Sequence, residues 1–148
     1  MSRIRRILHP TDFSKASAAA YKRAVEMAKA NRAELLLVHV LAPAIPMMAD
    51  GYLSPKVYED MENASRGYGQ KHLAALVRKA KQAGVRVKGL LLEGIPHERV
   101  AGAARSKKAD LLVIGTHGRT GFAKLFLGSV ASRILAVAPC PVLTVRGK

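Results

Sequence analysis

The chain predicts a single α/β domain built on a doubly wound, five-stranded parallel sheet with helices on both faces. Three observations carry that expectation. Apolar runs of strand length alternate with stretches of helical period along the whole sequence, giving βαβαβαβαβ. The runs are almost wholly apolar, as in Glu34–Val40 (E-L-L-L-V-H-V), which is the pattern of strands covered on both faces. The 148 residues, 49% hydrophobic and 24% charged, are enough for one ordinary core and fit one domain spanning 1–148.

The elements follow in order. Ile4–His9 reads as the first strand, closed by the turn cluster Pro10-Thr11-Asp12. Ser14 can cap a helix running to about Asn31, its apolar stripe formed by Tyr21, Ala24, Val25 and Ala28. Glu34–Val40 is the second strand. The long segment Leu41–Ser54 carries Pro43, Pro46, Met47, Met48 and Gly51, and a connection of that length is often functional. Met47 and Met48 suit a cover over a ligand or partner as well as a core edge. Pro55 sits well at the first position of a long helix ending near Ala83-Gly84, although Gly67 and Gly69 weaken its middle. Val85–Leu92 is the third strand, Glu93-Gly94-Ile95 a turn, and Pro96 opens a helix to about Lys107. Asp110–Ile114 is the fourth strand. A glycine-rich segment, Gly115 to Gly128, leads to a helix over Ser129–Val137, and Val142–Val145 is the last strand. This alternation implies right-handed crossovers and a Rossmann-like sheet.

Charge is the unusual property. Lys and Arg number 25 against 10 Asp and Glu, a formal net charge of +15. Such an excess invites anionic partners. It is unevenly spread: residues 1–34 carry eight basic and three acidic groups, 35–70 two and four, and 71–148 fifteen and three. That distribution argues against a uniform nucleic-acid coat and suits solvated cations on outer helix faces. No apolar run is long enough to span a bilayer, and the N-terminus lacks the apolar core of a secretory signal. One cysteine, Cys140, excludes an intramolecular disulfide framework and a cysteine-based zinc site, and reads as a buried small hydrophobe between two prolines. The expected location is the cytoplasm.

Open parallel sheets bind ligands beyond the carboxyl ends of their strands, where strand order reverses. Two such ends are marked: Pro10-Thr11-Asp12 after the first strand, and Gly115-Thr116-His117-Gly118-Arg119-Thr120-Gly121 after the fourth, continuing to Leu127-Gly128-Ser129-Val130. Glycines allow backbone amides to approach a phosphate, and a helix N-terminus supplies free N–H groups and the positive end of a dipole. Ser129 adds a hydroxyl, and Arg119 and Lys124 add charge. The segment is neither a Walker A loop nor a dinucleotide fingerprint. From spacing alone it is either a tight turn or a phosphate site.

The spacing Gly115-x2-Gly118-x9-Gly128-Ser129 resembles the G-2x-G-9x-G-[S/T] signature of the ATP-binding universal stress proteins. The opening I-L-H-P-T-D-F-S, the L-L-V-H-V of the second strand and the E-G-I-P-H-E of residues 93–98 are similar to that family as well, so the likeness covers essentially the whole chain. The resemblance implies a cofactor, ATP; a bound triphosphate could bring Mg²⁺ with it, held mainly by the phosphates and water. It implies that Pro10, Thr11 and Asp12 line the adenine and ribose end, with Asp12 accepting a hydrogen bond. Val40 would pack on the adenine ring, and Ile114 and Gly115 would contact the nucleoside. His117, Gly118 and Arg119 would flank the phosphates, which Gly128, Ser129 and Val130 would hold. It implies a homodimer through the edge strand Val142–Val145.

Three functions compete. The first is a regulatory ATP-binding module in a stress response, acting on a downstream protein. The second is a slow ATP hydrolase, for which His117 and Arg119 are the candidate water-orienting and charge-stabilising groups. The third is a charge-driven nucleic-acid binder. With no Trp, 3 Phe and 4 Tyr and no reader motif, base stacking lacks its platform, and nucleic acid is not an expected partner. His9 and His39, within strands, read as structural, and His97 as packing or capping. No histidine–carboxylate spacing suggests a metal site.

Overall fold

The first helix shows how local sequence sets an element. Ser14 adopts an extended backbone, and its hydroxyl accepts from Ser17 N at 3.2 Å, capping helix α1 over Lys15–Asn31. Arg32 then turns left-handed at φ 53° and ends it. The computed structural model describes residues 3–43, 54–116 and 128–147. Within them β1 spans Arg6–Pro10, β2 Glu34–Leu41, β3 Val87–Glu93, β4 Leu111–Gly115 and β5 Val142–Val145. The remaining helices are α2 over Pro55–Gln82, α3 over Pro96–Ser106 and α4 over Ser129–Val137. Both expected N-terminal prolines occupy the first turns of α2 and α3.

The five strands form one parallel sheet in the order β3-β2-β1-β4-β5. Strand alternation splits the core in two. Ile7, Leu35, Leu37 and Val113 pack with α1 and α2 residues such as Ala24 and Leu73 on one face. Leu8, Leu36, Leu112 and Ile114 pack with Val100 of α3 and Ile134 of α4 on the other. Helices therefore cover both faces, as the continuous apolar runs predict.

Three differences from expectation have local causes. β1 begins at Arg6 rather than Ile4, although Arg5 O already accepts from Glu34 N at 2.8 Å. Helix α2 is continuous through both glycines. A Cβ on Gly69 would stand 3.0 Å from His39 Cδ2 and 3.2 Å from Leu91 Cδ1, so this glycine lets α2 lie close on the sheet. Cys140 is half-buried against the α3–α4 side of the core, where burial raises its thiol pKa.

Candidate functional site

The strand order reverses between β1 and β4: from β1 the chain winds outward to β2 and β3, then returns to β4 and β5. A cavity of about 350 Å³ opens there, at the carboxyl ends of the central strands. Pro10, Thr11 and Asp12 form one wall, Val40 another, and Ile114 and Gly115 a third. Gly128, Ser129 and Val130 close it at the start of α4. Nine predicted positions from four separate segments thus line one space. His117, Gly118 and Arg119, together with Lys124 and the methionines Met47 and Met48, lie outside the described residues.

The β1–α1 loop is held by its own side chains. Thr11 is almost wholly buried; its N–H donates to Val38 O at 2.8 Å and its hydroxyl oxygen accepts from Phe13 N at 3.0 Å. Asp12 Oδ1 accepts from Ser14 N at 2.9 Å and from the Ser17 hydroxyl at 2.7 Å. These bonds hold Phe13 in the left-handed region at φ 64°, a conformation that costs an L-residue about 1–2 kcal/mol. Its ring lies between His39, at 4.5 Å between centroids, and His72, at 5.2 Å. The strained residue is therefore fixed from both the loop and α2.

Two histidines lock the strand ends. His9 Nδ1 lies 2.8 Å from Val113 O and donates to it, tying β1 to β4. Burial lowers its pKa from 6.5 to about 4, outweighing the upward pull of that carbonyl and of Asp12. The ring is therefore neutral at pH 7, with the proton on Nδ1. His39 Nδ1 donates likewise to Thr11 O at 2.8 Å, tying β2 to the site loop. Both behave as the structural residues the sequence suggested.

The far wall is a helix start. Gly128 takes an extended backbone, φ −61° and ψ 156°, and has no side chain with which to cap α4. The first intrahelical bond runs from Ser132 N to Gly128 O at 2.9 Å, so the N–H groups of the first turn precede the ladder. Gly128 N donates to Thr116 O at 2.7 Å, and Thr116 N to Val145 O at 3.0 Å, which brings the two ends of the glycine segment together beside β5. The positive end of the α4 dipole thereby faces the cavity.

Sequence reasoning missed several lining residues. Ser17, one helical turn beyond its cap, lines the cavity, as do His39, Pro96, Val100, Ala131 and Ile134. Ser17 carried a signal, being a polar residue on the buried stripe of α1. The α3 residues arrive only through tertiary packing.

The sequence model of the Universal stress protein family matches residues 3–146. The chain belongs to the universal stress protein family. Universal stress protein MJ0531 of Methanocaldococcus jannaschii is 36% identical over 144 residues, covering 96% of this chain and 82% of that protein. The solved structure of MJ0577 superposes with a TM-score of 0.86 at 25% identity, covering 99% of each chain. A universal stress protein solved in complex with cAMP gives a TM-score of 0.72 at 26% identity, covering 99% of this chain and 100% of that one. The family assignment agrees with the doubly wound sheet and with the switch-point cavity. No group of three or more metal-ligating side chains occurs among the described residues of this universal stress protein. No helix among them is long and apolar enough to cross a membrane.

Proposed function

We propose that this universal stress protein binds an adenine nucleotide, ATP, in the switch-point cavity and serves as a regulatory module whose shape or partner affinity follows occupancy. The observation that carries this reading is the convergence of Pro10–Asp12, Val40, Ile114–Gly115 and Gly128–Val130 on one cavity. Val40 and Ile114 supply apolar surface for the adenine ring. Asp12, held by Ser14 and Ser17, would accept from a ribose hydroxyl. The α4 N-terminus, with the Ser129 hydroxyl, suits the phosphates. Magnesium accompanying a triphosphate would be held by phosphate oxygens and water. The related universal stress protein in complex with cAMP supports an adenine ligand.

The same reading includes a homodimer formed by pairing of β5, which is an edge strand of the sheet. Leu135 and Val137, exposed on the helix that leads to this strand, add apolar surface for such a contact.

Calorimetry with ATP, ADP, AMP and GTP tests the assignment on the wild type and on Gly128→Val. The extended backbone at Gly128 accepts valine, so the change adds bulk at the cradle without backbone strain. Adenine nucleotides are expected to bind better than GTP, and the variant to lose at least about tenfold in ATP affinity with its melting temperature retained. Unchanged ATP affinity would overturn the site.

A further inference from the structure

The opposite end of the sheet holds a second concavity, of about 630 Å³, whose lining is polar and strongly basic. Arg3, Arg5 and Arg6 lead into β1, while Arg86 and Lys88 lead into and begin β3. Arg32 and Lys108 come from the turns after α1 and α3. All seven are exposed, and the acidic side chains among the lining residues are Glu34 and Asp110.

Those two carboxylates are already engaged. Glu34 is shared between Arg6, at 3.8 Å, and Lys88, at 3.6 Å. Asp110 Oδ2 accepts the backbone amides of Arg5 and Arg6 at 2.8 and 3.0 Å. Arg3, Arg5, Arg32, Arg86 and Lys108 therefore have no carboxylate within ion-pair distance among the described residues. Two guanidiniums are braced by carbonyls: Arg86 Nη2 donates to Arg32 O at 3.0 Å, and Arg6 Nη1 to Lys107 O at 3.2 Å.

A bland account exists, because helices α1, α2 and α3 end on this side and attract cations to their C-termini. Each such end carries roughly half a negative charge, about −1.5 for three. The lining carries a formal +5 from seven cations and two carboxylates, so most of it is left uncompensated. Five of the seven cations also belong to strands and their leads rather than to helix ends.

We propose that this concavity is a second anion site, which takes a compact polyanion bearing several phosphate groups. Arginine dominates the lining, and its planar fork matches phosphate oxygens in pairs. No aromatic side chain lines it, which removes base stacking, and the exposed large apolar residues lie elsewhere, which removes a membrane anchor. Its concave form suits a small multivalent anion over a duplex or a bilayer surface. The site lies across the sheet from the switch-point cavity and does not depend on the nucleotide reading.

The test is calorimetry with inorganic tripolyphosphate at about 0.15 M salt, where charges more than roughly 8 Å apart are largely screened. One variant, Arg3→Gln/Arg5→Gln/Arg32→Gln, removes three lining charges. A second, Lys22→Gln/Arg23→Gln/Lys71→Gln, removes three exposed charges from α1 and α2. The first is expected to lose at least about tenfold in affinity and the second less than about twofold, and the loss in the first is expected to persist in a Gly128→Val background, where the cradle at α4 is blocked. Equal loss in both triple variants, loss in Gly128→Val with the first unaffected, or no binding to the wild type would overturn the site. Duplex DNA of 20 base pairs and vesicles containing phosphatidylserine serve as further probes. Tighter binding of either than of tripolyphosphate, lost in the first variant, would likewise overturn the compact-anion assignment.

Discussion

Ser17 Oγ donates to Asp12 Oδ1 at 2.7 Å and accepts from Asp12 N at 3.3 Å, so one hydroxyl holds both the side chain and the backbone of the residue assigned to the ribose. The Ser14 amide adds a second bond to the same carboxylate oxygen. Removing Ser17 Oγ leaves that bond but takes away the hydroxyl's two, so the carboxylate is held less tightly. Ser17→Ala is expected to weaken ATP binding by about threefold to tenfold through lost orientation, with only about 1 kcal/mol lost from folding. Calorimetry paired with urea denaturation separates the two effects. A binding loss no larger than that at a distant surface position would show that Asp12 needs no such support.

Two glycines predict opposite signs of stability change. A Cβ on Gly115 would stand 2.7 Å from Ala16 O and 2.9 Å from Ala16 C, both backbone atoms of α1 that cannot swing away. Gly115→Ala is therefore expected to cost about 1–3 kcal/mol through overpacking, a structural demand separate from any contact with a nucleoside. Gly67, in the middle of α2, has nothing within 4 Å of a built Cβ and is exposed. Gly67→Ala should stabilise by about 0.5–1 kcal/mol through helix propensity. Urea midpoints for the two variants decide both signs.

His9 makes stability depend on pH. Its folded pKa of about 4 lies below the ordinary 6.5, so the unfolded chain binds the proton first as pH falls. The contribution of neutral His9 is complete above pH 6.5, is lost progressively down to about pH 4, and changes no further below that. The displacement corresponds to about 3 kcal/mol in all. The Cε1 proton of His9 should titrate with a midpoint near 4 in nuclear magnetic resonance. His9→Gln can keep a donor for Val113 O, and its stability should fall less steeply between pH 6.5 and 4. A ring midpoint at or above 6.5 would contradict the burial argument.

How far the sequence reaches is clearest along α1 and the site. Its start at Lys15 behind the Ser14 cap and its end at Asn31 follow local rules of capping and periodicity, and the structure places them there. Of the nine predicted lining residues, Pro10, Thr11, Asp12, Gly115, Gly128, Ser129 and Val130 were legible because they sit at the strand ends and helix start that the switch-point rule connects, whereas Val40 and Ile114 came only from the family resemblance. Pro96, Val100 and Ile134 were not legible, since apolar residues on a helix stripe do not state whether they face core or cavity. Gly69 resembled a helix breaker for the same reason: its role is the approach of α2 to His39 and Leu91, a contact between residues about thirty or fewer positions apart that no local window contains. The basic concavity joins four chain segments, so its charges looked like scattered surface cations until folded.

The edge strand gives the sharpest test of assembly. Pro141 O accepts from Leu112 N at 2.9 Å and Val145 O from Thr116 N at 3.0 Å, so the odd-numbered residues of β5 face β4. Because backbone groups alternate along a strand, Val142 and Thr144 present theirs to the open edge. Thr144→Pro removes an outward donor while sparing the ladder to β4, and proline is tolerated on an edge strand. The variant is expected to retain its helical circular dichroism and to sediment as a monomer where the wild type sediments as a dimer. A variant that remains dimeric would place the contact away from β5, and a wild type that is monomeric at micromolar concentration would remove the dimer altogether.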